Sequence, residues 1–137
     1  QNLDWTVYEY TFVGRIKIAF KNIRVIPPLD SYELAKVLRE QDIYLTASRH
    51  DPCSNALIEA LTCGLPAIYL RSGGHPELVG KAGLGFESAE EVPLLLNQLV
   101  ENYACYRHAI TAPQISDVAD RYLKVMDLTR YCTVNKH

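Results

Sequence analysis

Residues 51–70 (DPCSNALIEALTCGLPAIYL) constrain the fold most, because their pattern changes twice within one short segment. A polar loop leads into a short amphipathic helix, and an apolar strand is predicted at residues 66–70. Gly64 stands between the two, in the position where glycine ends helices. Ser54 or Asn55 is expected to cap the start of the helix. The segment therefore predicts a loop, a helix and a buried strand in close succession.

The rest of the chain alternates between strand and helix in the same way. Further strands are predicted at residues 6–13, 22–26, 42–47 and 81–86, and further helices at residues 30–41, 88–103, 104–111 and 116–131. Capping boxes are expected at Asp30 with Glu33 and at Ser88 with Glu91, and Ser116 is expected to cap the last helix. Short loops between alternating strands and helices predict an α/β fold with a parallel sheet, in one domain covering residues 1–137.

Charge and cysteine content exclude several classes of protein. The net charge of −2 offers no general attraction to nucleic acid or anionic lipid, so any phosphate site has to be local. The four cysteines form no CxxC pair, which argues against a zinc site. No signal peptide and no membrane-length apolar run is visible, and we expect a cytoplasmic protein with reduced thiols. Because the chain starts at Gln1, we expect it to be a piece of a longer protein.

Glu59 lies in the middle of the helix predicted within residues 51–70, and two interpretations of it are open. The predicted core face of this helix consists of Ala56, Leu57, Ala60, Leu61 and Gly64. Glu59 therefore falls on the opposite, polar face, together with Asn55 and Thr62. It is either an ordinary solvated carboxylate or an acceptor for two neighbouring hydroxyls, as on a ribose.

Asp51 precedes the same helix, in one of two loops where a ligand is expected. In open parallel sheets ligands bind beyond the carboxyl ends of the strands, which places the loops after Ala47 and Leu70 at the binding edge. Asp51 is either a turn residue before Pro52 or a contact for sugar hydroxyls. The first N–H groups of the helix, at residues 54–56, suit a diphosphate because they lack intrahelical acceptors.

The second of these loops, SGGHPE at residues 72–77, is similarly ambiguous. Gly73 and Gly74 form a turn, and they also permit close approach of the backbone to a ligand. Glu77 either complements a helix dipole or belongs to the site. In the first loop, His50 is a base, a hydroxyl donor or a plain loop residue. Cys53 lies near a helix N-terminus but has no base partner in the sequence, which argues against nucleophilic catalysis.

Taken together, these residues resemble the C-terminal domain of the retaining GT-B glycosyltransferases, the group 1 (family four) class. Family members carry two glutamates separated by seven residues, then EA-x-x-x-G-x-P and a GG-x-x-E loop. Asp51 and Glu59 have this spacing, and residues 60–66 (ALTCGLP) and 73–77 (GGHPE) follow in the same order. Upstream, Phe12-Val13-Gly14 resembles the strand-to-glycine turn of the family. The resemblance covers nearly the whole chain.

The resemblance implies a Rossmann-like parallel sheet flanked by helices, the half of the GT-B fold that binds the nucleotide-sugar. Glu59 would bind the ribose hydroxyls, and Asp51 would contact the donor sugar. Backbone amides would meet the diphosphate at Cys53, Ser54 and Asn55. Further donor-binding positions would be Gly14, Gly73, Gly74, His75 and Glu77. The implied reaction transfers a hexose, with retention, from a nucleoside diphosphate sugar to a glycan, lipid or small-molecule acceptor, without a metal or other cofactor.

The sequence also departs from the family. Asp51 is one methylene shorter than the family glutamate. The family's first strand and helix, which carry an Arg and a Lys that clamp the diphosphate, are expected to precede Gln1, together with an N-terminal Rossmann-like domain for the acceptor. We therefore expect no turnover from this chain alone, and a possible peripheral membrane contact only for the full-length enzyme. The alternatives are a non-catalytic nucleotide-sugar binding module, a GT-B-like sugar-nucleotide epimerase and a flavodoxin-like signalling domain.

Overall fold

The computed structural model describes residues 6–18, 20–111 and 115–132. Strands and helices alternate along most of the chain, as the sequence predicts. The strands are β1 (Tyr10–Val13), β2 (Ile23–Ile26), β3 (Tyr44–Thr46), β4 (Ala67–Leu70) and β5 (Gly83–Phe86). The α-helices are α1 (Ser31–Arg39), α2 (Asn55–Thr62), α3 (His75–Val79), α4 (Val92–Glu101), α5 (Tyr103–His108) and α6 (Ile115–Cys132).

All strand pairs in the described part of the chain are parallel, but the strands form two sheets. β1 pairs with β2, with Tyr10 opposite Ile23. The second sheet has the order β3-β4-β5, and β4 is its central strand. Parallel pairing is therefore confirmed, whereas the division into two hydrogen-bonded sheets was not predicted.

The central strand β4 is buried along its whole length, because helices cover both of its faces. Successive side chains of a strand point to opposite faces. Ala67 and Tyr69 pack in one hydrophobic cluster with residues of α2 and α3, whereas Ile68 and Leu70 pack in another with residues of α4. This arrangement explains the continuous apolar run at residues 66–70, and it encloses the carboxyl end of β4 between two layers.

Both predicted capping boxes cap their helices, and the box at Ser88 with Glu91 is complete, whereas the box at Asp30 with Glu33 is half formed. The Asp30 carboxylate accepts from the Glu33 backbone N–H at 2.9 Å, but the Glu33 carboxylate pairs with Lys36 Nζ at 2.8 Å. In the second box, the Ser88 backbone N–H donates to Glu91 Oε1 at 2.9 Å. Ser54, rather than Asn55, caps α2, since its hydroxyl accepts from the Leu57 N–H at 3.4 Å.

Several predicted boundaries are wrong by a few residues. β1 begins at Tyr10, whereas the strand was predicted from Thr6. The helix predicted at residues 88–103 is a short 3-10 turn followed by α4, and Asn102 separates α4 from α5. α6 begins at Ile115, so Ser116 lies within its first turn and does not cap it. Local sequence signals identify each helix, but packing and fraying decide where it begins and ends.

No helix within the described ranges combines the length and apolarity needed to cross a bilayer.

The two leucines of α4 give a matched test of the packing. Leu99 is fully buried against β4, whereas Leu94 is 70% exposed on the same helix. We expect Leu99→Ala to lower the free energy of unfolding by about 2–5 kcal/mol, because it leaves a cavity in the core. Leu94→Ala should change that free energy by less than about 0.5 kcal/mol. Urea unfolding followed by circular dichroism measures both, and equal effects would contradict the described orientation of α4.

Candidate functional site

The loops that follow β3 and β4 are bonded to each other, and they form one edge of the molecule. We call them the paired loops: residues 47–54 after β3 and residues 71–74 after β4. The Gly74 N–H donates to the Asp51 carbonyl at 2.9 Å. The His50 N–H donates to the Ser72 hydroxyl at 3.0 Å. These bonds bring together the two segments that the sequence analysis placed at the binding edge.

The two glycines of the second loop are required by this contact. Gly73 has a φ of +59°, and a Cβ there would lie 2.9 Å from the Asp51 nitrogen. A Cβ on Gly74 would lie 3.0 Å from the Pro52 carbonyl carbon. A side chain at either position would therefore collide with the backbone of the first loop. The glycines thus permit a close approach of the two loops, and their approach to a ligand stays a prediction.

His75 lies beneath the paired loops and is fully buried. Its Nδ1 is 3.0 Å from the Leu70 carbonyl, and its Nε2 is 3.2 Å from Ser48 Oγ. Because a carbonyl only accepts, Nδ1 carries the hydrogen of that bond, and Nε2 lies within hydrogen-bond distance of the Ser48 hydroxyl. Ser48 Oγ lies 3.2 Å from Thr46 Oγ1. The side chain of His75 thus supports the site from behind, and its contact with a ligand stays a prediction.

The N-terminus of α2 is the best candidate for binding a diphosphate. The Leu57 N–H is capped by Ser54, whereas the N–H groups of Asn55 and Ala56 have no acceptor within the helix. The Cys53 N–H donates to Asp51 Oδ1 at 3.1 Å. The Cys53 N–H, one of the three backbone amides predicted to meet the phosphates, therefore already donates to Asp51. The N–H groups without an acceptor, those of Asn55 and Ala56, lie further into the helix.

The two acidic residues of the motif are both half-buried. Asn55 and Thr62, which were predicted to share the polar face with Glu59, are exposed. Ala56 is exposed as well, although it was predicted to face the core. Glu59 is therefore more enclosed than an ordinary surface carboxylate.

Tyr44 is a site residue that the sequence analysis missed. Burial raises the pKa of its phenol above 10.0, a hydrogen bond with Thr46 opposes this, and the charges of Glu59 and Asp51 raise it further. The phenol therefore lies within electrostatic reach of both motif carboxylates. Because side chains alternate along β3, the sequence could have shown that Tyr44 shares a face with Thr46. It could not have shown that α2, which carries Glu59, packs near β3.

The other predicted residues lie on other elements of the fold. Gly14, with a φ of +147°, follows β1 and donates its N–H to the Ile26 carbonyl at 3.0 Å. It thus extends the two-stranded sheet. Glu77 is exposed in the first turn of α3. Within the described residues, no group of three or more His, Cys, Asp or Glu side chains is arranged to hold a metal ion.

Comparison with known proteins identifies the family. Residues 9–103 match the family described as glycosyl transferases group 1, and the chain belongs to that family. The chain is 31% identical over 106 residues to a probable sucrose-phosphate synthase of Thermosipho melanesiensis (strain DSM 12029 / CIP 104789 / BI429), an alignment that covers 73% of this chain and 25% of that protein.

A solved structure confirms the Rossmann-like α/β fold. The crystal structure of Anabaena Alr3699/HepE in complex with UDP-glucose superposes with a TM-score of 0.52 at 18% sequence identity. The superposition covers 64% of this chain and 25% of that chain. Our chain therefore spans about a quarter of the length of the relatives it matches.

The surroundings of Tyr44 give a prediction that can be tested without a ligand. We expect its pKa to lie above 10.0 and to fall in Glu59→Gln, because one neighbouring negative charge is removed. Tyr103 is the internal control, since burial and Asp42 raise its pKa and Glu59 does not contribute. Alkaline titration followed by NMR of tyrosines carrying ¹³C at Cζ measures both. An unchanged Tyr44 pKa would contradict the proximity of Glu59.

The same shift predicts how stability depends on pH. A raised pKa in the folded state favours the protonated phenol, so its contribution is complete below the unfolded-state pKa and is lost as pH rises through the folded-state pKa. Tyr44→Phe should therefore reduce the loss of stability at alkaline pH.

Substitution of His75 tests the support beneath the loops. His75→Leu removes the hydrogen bonds to Leu70 and Ser48, each worth about 1 kcal/mol, so we expect a loss of roughly 1–3 kcal/mol in the free energy of unfolding. His108→Leu is the control, because His108 is exposed. Equilibrium unfolding in urea measures both variants. Equal stability of His75→Leu and the parent chain would contradict this role.

Proposed function

We propose that this chain is the nucleotide-sugar binding, C-terminal part of a retaining glycosyltransferase. The observation that carries the proposal is the position of Glu59. Its half-buried carboxylate lies on a helix whose N-terminus has open N–H groups, within reach of the same phenol as Asp51. Carboxylates that can accept from hydroxyls and N–H groups that can donate to phosphates thus occur together at one edge of the domain.

The ribose, the diphosphate and the sugar of a nucleotide-sugar are each assigned a partner. The two oxygens of Glu59 accept from the vicinal ribose hydroxyls. The open amides of Asn55 and Ala56 bind the diphosphate, which the helix dipole also favours. Asp51 accepts from hydroxyls of the donor sugar through Oδ2, since Oδ1 is occupied by the Cys53 N–H. Tyr44, whose pKa both carboxylates raise, is proposed as a further hydroxyl partner.

The proposed reaction moves a hexose from the nucleoside diphosphate to an acceptor hydroxyl, with retention at the anomeric carbon. Charge develops on the departing diphosphate, and preorganised N–H groups at α2 stabilise it in the transition state. UDP-glucose, the ligand of the Anabaena protein, is the first donor to test. The name of the Thermosipho relative makes a sugar phosphate one acceptor to test, beside glycan and lipid acceptors.

The proposal also assigns this chain a partner. Because it spans about a quarter of its relatives, we propose that the acceptor site and an Arg/Lys diphosphate clamp lie in other parts of a cytoplasmic full-length enzyme. The chain alone then binds donor but does not turn over. A peripheral membrane contact is proposed only for the complete enzyme.

Calorimetric titration with UDP-glucose, UDP and GDP tests the donor site. We expect Glu59→Gln to weaken nucleotide binding about tenfold or more, because charge-assisted hydrogen bonds to ribose contribute about 1.5–3 kcal/mol. Asp51→Asn should weaken the binding of UDP-glucose more than that of UDP. The amide oxygen can still accept from the Cys53 N–H, but the negative charge facing the sugar is lost. Glu101→Gln, which changes an exposed carboxylate at the end of α4, should have no effect.

Two outcomes would contradict the proposal. Equal affinities of the parent chain and Glu59→Gln would remove the ribose assignment. Absence of binding to all three nucleotides would show that this chain alone does not form the donor site.

A further inference from the structure

A cavity of about 300 Å³ opens at the carboxyl ends of the three strands β3, β4 and β5. Its lining residues are Arg49, His50, Leu70, Arg71, Ser72 and Glu87. His50 and Ser72 belong to the paired loops, but none of the six residues was given a ligand contact in the proposed donor site. The cavity shares the paired loops with that site, and its lining also includes Glu87, the residue that follows β5.

Two arginines give the cavity its positive charge. Among the described residues, the ion pair that forms is Lys36 with Glu33, so neither Arg49 nor Arg71 has a carboxylate within 4.0 Å. Glu87 lines the same cavity without pairing with them. The arginine charges are thus available to a ligand, and Glu87 remains available to accept hydrogen bonds.

Two hydrogen bonds to β5 hold Arg71 in place. Its Nε donates to the Gly85 carbonyl at 3.2 Å, and its backbone N–H donates to the Phe86 carbonyl at 2.8 Å. A Cβ on Gly85 would lie 2.8 Å from Arg71 Cγ, so glycine makes room for the aliphatic part of the side chain. With Nε fixed, the terminal nitrogens of the guanidinium are oriented in advance, which reduces the entropy lost on binding.

The remaining lining groups suit a small phosphorylated sugar. Ser72 Oγ accepts from the His50 N–H at 3.0 Å, so its own hydrogen can be donated to a second acceptor. The paired N–H groups of an arginine guanidinium match the spacing of phosphate oxygens. A carboxylate such as Glu87 accepts from sugar hydroxyls. A volume of about 300 Å³ is at the small end of ligand pockets.

We propose that this cavity binds a phosphorylated monosaccharide, separately from the nucleotide-sugar. Arg49 and Arg71 bind its phosphate monoester, and Glu87 accepts from its hydroxyls. The proposal does not depend on the donor site, because it uses different residues and a different ligand.

NMR titration of the ¹⁵N-labelled chain with inorganic phosphate, glucose 6-phosphate and glucose tests the proposal. We expect saturable amide shifts at residues 49–50, 71–72 and 87 with both phosphates, and far weaker binding of glucose. Arg49→Ala should weaken the binding of glucose 6-phosphate at least about tenfold, since it removes a charge-assisted contact. Arg71→Gln should do the same. Arg49 is exposed, so its loss leaves folding intact.

Two controls match these variants in charge. Arg39→Ala removes an exposed cation from the end of α1, at the opposite edge of the sheet, and should change affinity by less than about twofold. Glu87→Gln should tighten inorganic phosphate, because it removes a repulsive charge from the cavity. Glu40→Gln, the matched control beside Arg39, should leave the affinity for inorganic phosphate unchanged.

The proposal is overturned if the phosphates cause no saturable shifts around the cavity, or if Arg39→Ala weakens binding as much as Arg49→Ala. It is also overturned if UDP displaces glucose 6-phosphate and Arg49→Ala weakens both ligands equally, because the cavity would then be part of the nucleotide site. Independent binding of the two ligands, with Glu59→Gln affecting only UDP, would support it.

Discussion

The hydrogen bond from the Gly74 N–H to the Asp51 carbonyl is the interaction on which the candidate site depends. It fixes the backbone of Asp51, whose carboxylate then accepts from Cys53 and sets the approach to α2. Ser54 caps the helix one residue later, and Glu59 follows in its second turn. The geometry of the site therefore results from contact between two loops, which only glycine at positions 73 and 74 permits.

His75 connects this contact to the core. Its ring bonds the end of β4 to Ser48 in the loop after β3, and its environment is fully buried. Because β4 is enclosed between helices on both faces, the loops follow a strand that is buried along its whole length. Stability and ligand geometry are thus linked at one side chain, so substitution of His75 is expected to disturb both loops at once.

The sequence predicts what is local and misses what depends on distant packing. The α2 helix, its end near Gly64 and the buried strand β4 follow from periodicity and glycine chemistry, and the structure confirms them. A turn at Gly73 and Gly74 was predicted, but its partner lies more than twenty residues earlier in the chain. Burial of His75 and the role of Tyr44 depend on how β3, β4 and α2 pack together. Strand partners are likewise absent from periodicity, so the two separate sheets could not be foreseen.

The central claim is that a nucleotide-sugar binds at the start of α2, above the paired loops. An amide NMR titration of the ¹⁵N-labelled chain with UDP-glucose tests it most directly, because each backbone N–H reports separately. The account predicts the largest shifts at Asn55, Ala56 and Glu59, with smaller shifts at Gly74 through its bond to Asp51. Saturable shifts confined to other parts of the chain, with the amides of α2 unchanged, would contradict it.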